Sequence, residues 1–91
     1  MKYVKKPIPV DAVQITSPFV ITDMPLWFIT AYTRGDVYFD NTGSAQNGLT
    51  IKTLEGKMFA PWGYVIVKGV DGELYPVRGD IFQKTYEEYK G

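Results

Sequence analysis

Three glycine-centred turn signals are crowded into one stretch of this chain: Glu55-Gly56, Trp62-Gly63 and Asp71-Gly72. The segments around them are too short for helices and rich in apolar and β-branched residues. Leu49-Thr50-Ile51-Lys52-Thr53 alternates apolar and polar side chains, as a half-buried strand does. Lys57-Met58-Phe59-Ala60, Tyr64-Val65-Ile66-Val67-Lys68 and Glu73-Leu74-Tyr75-Pro76-Val77 follow as further strands, broken by Pro61-Trp62-Gly63 and by the two-residue hairpin signal Asp71-Gly72. A parallel sheet needs a crossover of about a dozen residues or more between partner strands. These connections are much shorter, so the strands must run antiparallel, in a small and strongly bent sheet.

The N-terminal half supplies one more strand and the main helix. Ile8 to Thr16 reads as a strand with untidy alternation at Asp11-Ala12-Val13, suggestive of a bulge. Pro7 and Pro9 lack the amide a ladder needs, which places this strand at an edge or makes this its start. After Ser17-Pro18, Thr22 or Asp23 offers an N-cap and Pro25 suits a first helical turn. Met24, Trp27, Phe28 and Ala31 recur at helical spacing, and Arg34-Gly35 ends the run, so a helix is expected over about Asp23 to Arg34. Its apolar stripe, widened by Leu26, Ile29 and Tyr32, suits burial against a sheet and also a second copy. Val37-Tyr38-Phe39 is a short strand, and residues 40–48 form a turn-rich loop. Near the C-terminus Asp80 caps a short helical turn over Ile81–Lys84, and residues 85–89 are expected as a last strand beside the first. The alternative is a helix continuing to Tyr89. The expected fold is therefore α+β: a single domain over residues 1–91, a bent antiparallel β-sheet of about five to six strands, one main helix and a short C-terminal helical turn.

Composition narrows the chemistry. The chain has 91 residues and neither Cys nor His. That excludes a disulfide framework, a Cys/His zinc site, a thiolate nucleophile and an imidazole base. Ten basic side chains balance ten acidic ones. Zero net charge disfavours duplex DNA as a partner, since phosphate neutralisation dominates that affinity. No apolar core of a signal peptide follows the basic start, the longest apolar-rich stretch, Met24 to Tyr32, is too short for a membrane span, and with Cys absent an intracellular location is expected. Aromatic residues reach 15%. They serve either to fill a small core or to present a binding surface.

Residue chemistry sorts the candidate sites. Gly69 to Glu73 lacks the helix start and the Gly-Lys-Ser/Thr ending of a phosphate loop. Asp71, Glu73 and Asp80 carry oxygen ligands without calcium-loop spacing. Glu55 and Glu73 stand beside turns, in a domain with little room for the sugar-sized cleft that paired carboxylates serve. Catalysis would have to rest on Asp, Glu, Lys, Tyr or Ser44, so no enzyme activity, cofactor or metal is expected. Trp62, in a turn, is either folded over the core or offered to a partner. Tyr64, Tyr75, Tyr86 and Tyr89, with Lys57, Lys68 and Arg78, are candidates for base stacking and phosphate contact, although packing across strand pairs explains the tyrosines as well. Lys2, Lys5 and Lys6 read as a solvated basic end. The candidate binding residues are Trp62, Tyr64, Tyr75, Lys68, Arg78 and Asp80.

Several of these segments form a wider pattern. Lys5-Lys6-Pro7-Ile8 with Ala12-Val13-Gln14, then Thr53-Leu54-Glu55-Gly56, then Tyr64 to Pro76, then Asp80-Ile81-Phe82-Gln83-Lys84-Thr85-Tyr86, together resemble a family of small phage and prophage proteins. Its pattern runs T-L-E-G, P-G-D-Y-x-I-x-G-V-x-G-E-x-Y-P, D-I-F-x-x-T-Y. The resemblance spans residues 1–16 and the C-terminal part of the chain, and leaves the central helix and loop unmatched. Trp62-Gly63 replaces the family's Gly-Asp, Val77 its frequent Cys, and Gly79 its second Pro. The resemblance implies a phage gene product acting in the cytoplasm of the bacterial host, and it implies no substrate. The expected function is that of a non-enzymatic accessory protein binding a host or phage protein, with a homodimer as a further expectation. The alternatives are a nucleotide or small-molecule binder, such as a sponge for a host defence signal, and a minor virion component.

Overall fold

The computed structural model describes residues 1–3, 8–39 and 47–88. Among these, six strands and two helices form an α+β domain with two three-stranded antiparallel sheets. In chain order they are β1 (Asp11–Gln14), α1 (Leu26–Thr33), β2 (Val37–Tyr38), β3 (Gly48–Thr53), β4 (Gly56–Pro61), β5 (Val65–Lys68), β6 (Leu74–Val77) and α2 (Gly79–Thr85). The first sheet has the order β1-β5-β6 and the second β2-β3-β4.

The division into two sheets comes from the Pro61-Trp62-Gly63-Tyr64 corner, which does not fold β5 back onto β4. The Tyr64 amide donates to the Pro61 carbonyl at 3.1 Å and Gly63 has φ 98°, the third-position backbone of a type II turn. That turn redirects the chain, and β5 finds β1 instead. Around the corner, the Gly63 amide donates to Ile15 O at 2.7 Å and the Trp62 amide to Asn47 O at 2.9 Å. The side-chain amide of Gln14 donates to Gly63 O at 2.9 Å. Both neighbouring connections are true hairpins. Thr53 and Gly56 close a two-residue loop in the second sheet. In the first, the Gly69 amide donates to Glu73 O at 2.8 Å and the Gly72 amide to Gly69 O at 3.0 Å. The loop is therefore Val70-Asp71-Gly72, three residues rather than the two expected, with Gly72 at φ 85° as the left-handed residue of a bulged turn.

Other expectations shift in detail. β1 is shorter than the expected strand and keeps regular register, Asp11 to Gln14 against Lys68 to Val65, with no bulge. It lies at a sheet edge, as its leading proline requires. The helix expected from Asp23 is split. Ile21–Asp23 forms a 3-10 turn, and α1 starts after Pro25, which occupies the N-cap position with extended backbone (ψ 157°). Its end does follow the Arg34-Gly35 signal. The Asp36 amide donates to Ala31 O at 2.9 Å and the Gly35 amide to Tyr32 O at 3.1 Å, the paired bonds of a Schellman close. The C-terminal turn grows into α2, and residues 86–88 form no strand. Phe82 and Tyr86 explain this: four residues apart, they stack at 4.6 Å between centroids, a helical contact that a strand would break. The basic residues Lys5 and Lys6, the loop at 40–46 and the end at Tyr89 lie outside the described residues.

The core sits where α1 and the inner faces of both sheets meet. Ile15, Phe28, Val37, Leu49, Ile51, Ala60 and Ile66 are fully buried there, with Ala31 and Leu74 nearly so. β6 joins the halves by packing on β3 and β4. By strand alternation Val65 and Val67 face the opposite side of the first sheet, alongside Tyr75. That side meets α2 through the Tyr75–Tyr86 contact. No helix among the described residues is long and apolar enough to cross a membrane.

Candidate functional site

The six candidate binding residues do not come together in one place: three positions hold five of them, and Lys68 stands apart at the far end of β5. Trp62 lies at the corner between the sheets. Its ring stacks on Phe19 (5.7 Å, 25°) and meets Phe39 edge-on (6.3 Å, 64°). Phe19 in turn contacts Phe39 and the buried Phe28, each at 6.0 Å. Trp62 is therefore folded over the end of the core while remaining half-buried. Phe39 is 37% exposed and Val20, beside Phe19, is 46% exposed, so the corner carries apolar surface outward. Sequence reasoning missed Phe19 and Phe39. Positions 19, 39 and 62 share no local spacing, and only the fold brings them together.

Arg78 and Asp80 form the second place, in the link from β6 into α2. The guanidinium donates through Nε to Oδ1 at 2.9 Å and through Nη2 to Oδ2 at 2.6 Å, a two-pronged fork. The Asp80 carboxylate also accepts the Ile81 amide at 2.9 Å. The Arg78 hydrogen bonds, followed by that backbone bond and the guanidinium charge, hold its carboxyl at about 2. The same pairing raises Arg78. Both side chains are more than half exposed, so their pairing contributes little to stability. Its effect is to engage the Arg78 fork, which the phosphate-contact reading needed free. Tyr64 is half-buried against the core nearby. Lys68 ends β5, directly across from Asp11 on one side and Leu74 on the other.

Tyr75 forms the third place, with its hydroxyl 3.3 Å from that of Tyr86. Burial, then the Tyr86 hydrogen bond and charge, then Glu73, push its phenol up to about 12. A phenol raised in the folded state keeps its full stabilising contribution below about pH 10, its ordinary range, and loses it as the pH climbs to about 12. Ultraviolet titration should therefore show the Tyr75 phenol as a late component. In Tyr86→Phe that phenol should titrate earlier, towards the ordinary range. An unchanged late titration would put its cause elsewhere.

The carboxylates considered as cation ligands do not converge. Glu73 turns back to accept the Asp71 amide at 3.1 Å, and Asp80 is held by Arg78. Among the described residues no group of three or more acidic side chains could hold a metal ion. A hollow of about 190 Å³ is lined by Asp36, Lys52 and Glu73 among others. That is smaller than the roughly 300–1,000 Å³ of ordinary small-molecule pockets, and none of the six candidate residues lines it. Comparison with family models, curated proteins and solved structures finds no match for the chain.

Proposed function

We propose that this chain is a phage-encoded, non-enzymatic accessory protein that acts by binding a protein of the host or the phage in the bacterial cytoplasm. The phage setting rests on the sequence motifs. The binding mode rests on the aromatic corner: Trp62, Phe19 and Phe39 form one braced, half-exposed apolar surface with Val20 beside it. Rings locked by their neighbours lose little freedom on association, and Trp is enriched where binding energy concentrates.

Native mass spectrometry of the protein expressed in its bacterial host tests this reading. The wild type should carry a bound protein. Phe39→Asp, at an exposed position, should weaken that complex by about 30-fold or more, the effect of losing a hot spot. A complex indifferent to Phe39→Asp would remove the corner from the reading. A small bound mass would favour the nucleotide-binding alternative. The second reading is a homodimer through α1, where Leu26 is 77% exposed. It would show as a doubled mass that Leu26→Lys abolishes.

A further inference from the structure

We propose that the outer face of the β2-β3-β4 sheet binds single-stranded nucleic acid, with Tyr38 and Phe59 as stacking platforms and Lys52 and Lys57 as phosphate contacts. The register sets this face. Tyr38 pairs with Thr50 and Thr50 with Phe59, so these three side chains form one row across the sheet, on the side opposite the buried Val37, Leu49 and Ile51. Strand spacing of about 4.8 Å anchors the two aromatic residues roughly 10 Å apart. No ring contact joins them among the described residues, so their faces do not cover each other. The adjoining row, about 7 Å along the strands, carries Lys52 directly across from Lys57. The Lys57 ammonium lies 5.9 Å from the Tyr38 ring centroid, which places charge and ring together.

Thr50 is the second, independent pointer. It is 6% exposed, and its hydroxyl is buried without a hydrogen-bond partner. A hydroxyl left so is unfavourable where a valine of the same shape would fit. It sets a donor and an acceptor beneath the row between the two aromatic residues, where a base stacked there would bring its polar edge. A protein partner would be better served by a continuous apolar row.

Charge complementarity commits the face to one occupant. Lys52 and Lys57 lie on it, and the nearby Arg34–Asp36 pair at 3.2 Å is self-neutralising. A chain of zero net charge is poorly equipped for a duplex, whose bases are already stacked inside. A single strand presents base faces to rings and phosphates to lysines, and rings accept any base. The site is separate from the aromatic corner: Tyr38 and Phe39 are successive residues, and Phe39 turns inward to Phe19 and Trp62.

Fluorescence anisotropy with the full chain and a labelled oligothymidylate of about twelve nucleotides, within the usual site size, tests the proposal. Binding should weaken about 5- to 100-fold in Phe59→Ala and again in Tyr38→Ala, the range for losing one stacked base. Lys57→Ser should lower the salt dependence by about 0.7 in log–log slope for each phosphate that is no longer neutralised. Lys57 is exposed, so Lys57→Ser should keep the wild-type unfolding midpoint, and Phe59→Ala should stay folded with a modestly lower one. Amide shifts on titration should centre on Tyr38, Thr50 and Phe59. The proposal is overturned if the wild type fails to bind at low salt. It is also overturned if duplex or polyglutamate binds equally well, or if Trp62→Ala abolishes binding while Phe59→Ala leaves it intact. None of these outcomes bears on capture of a protein at the aromatic corner.

Discussion

Phe28→Ala should lower the unfolding free energy by about 3–5 kcal/mol, the usual cost of emptying a fully buried phenylalanine site. Phe28 is 0% exposed and lies on the inner side of α1. Its ring meets Trp27 edge-on at 5.9 Å and Phe19 at 6.0 Å, and it shares the core with residues of both sheets. No other residue of α1 except Ala31 is buried, so Phe28 supplies most of what fastens the helix. A domain of this length commands only about 5–14 kcal/mol in total. The substitution should therefore remove a large share of it, and urea unfolding should show a sharply earlier midpoint. Phe28→Leu should recover most of the loss, because volume and apolar character are largely kept. A fall of less than about 1 kcal/mol for Phe28→Ala would mean that the cavity collapses freely, and Phe28 would not be what fastens α1.

Gly48→Ala should cost about 3 kcal/mol or more, at the upper end of overpacking penalties. A Cβ at position 48 would run into the carbonyl oxygen of Ala60, and would stand 2.8 Å from the Ala60 carbonyl carbon and from Pro61 Cα. All three atoms are backbone of β4, the hydrogen-bonded partner of β3, so no side chain can swing aside. Relief requires the two strands to part next to the corner, where the Trp62 amide is held by Asn47. In a domain of this size each kcal/mol shifts the midpoint by about 4–8 °C, so thermal unfolding reads the effect easily. Gly69 behaves differently. The atoms nearest to a Cβ there are those of the Glu73 carboxylate, a flexible end that can move away. An unshifted midpoint in Gly48→Ala would show that the strands separate without cost.

These two positions differ in how far the sequence discloses them. Phe28 stands at helical spacing with Met24 and Ala31, so its burial is legible from periodicity alone. Gly48 looks like an ordinary loop glycine beside Asn47, and its tight contact exists only once β3 has found its register with β4. The same boundary runs through the rest of the chain. Local chemistry disclosed the hairpins at Gly56 and Gly72, the end of α1 at Gly35, and the edge position of β1. It did not disclose that the corner at Gly63 separates two sheets, because a type II turn and a hairpin loop draw on the same residues. The C-terminal strand expectation failed for a related reason. The pairing of Phe82 with Tyr86 is a helical signal, and the reading of residues 85–89 as a strand passed over it. Of the candidate site residues, Trp62 was legible by type and its partners Phe19 and Phe39 were not, since nothing local links three distant rings. Arg78 was read as a phosphate contact and Asp80 as a helix cap, although their separation of two residues allowed the fork that joins them.

The antiparallel pairing of β1 with β5 has a consequence for how the chain reaches this fold. Asp11 to Gln14 must find Lys68 to Val65 across more than half the chain, whereas β3–β4 and β5–β6 close over a few residues each. Closing a long loop costs entropy before any contact offsets it, so local hairpins form first and distant pairings wait. β1 is then the strand that seals an assembled molecule. Because it lies at an edge, its release breaks a single ladder and leaves both hairpins closed. The four residues that complete the native state last are thus also ones that can leave it without opening either hairpin.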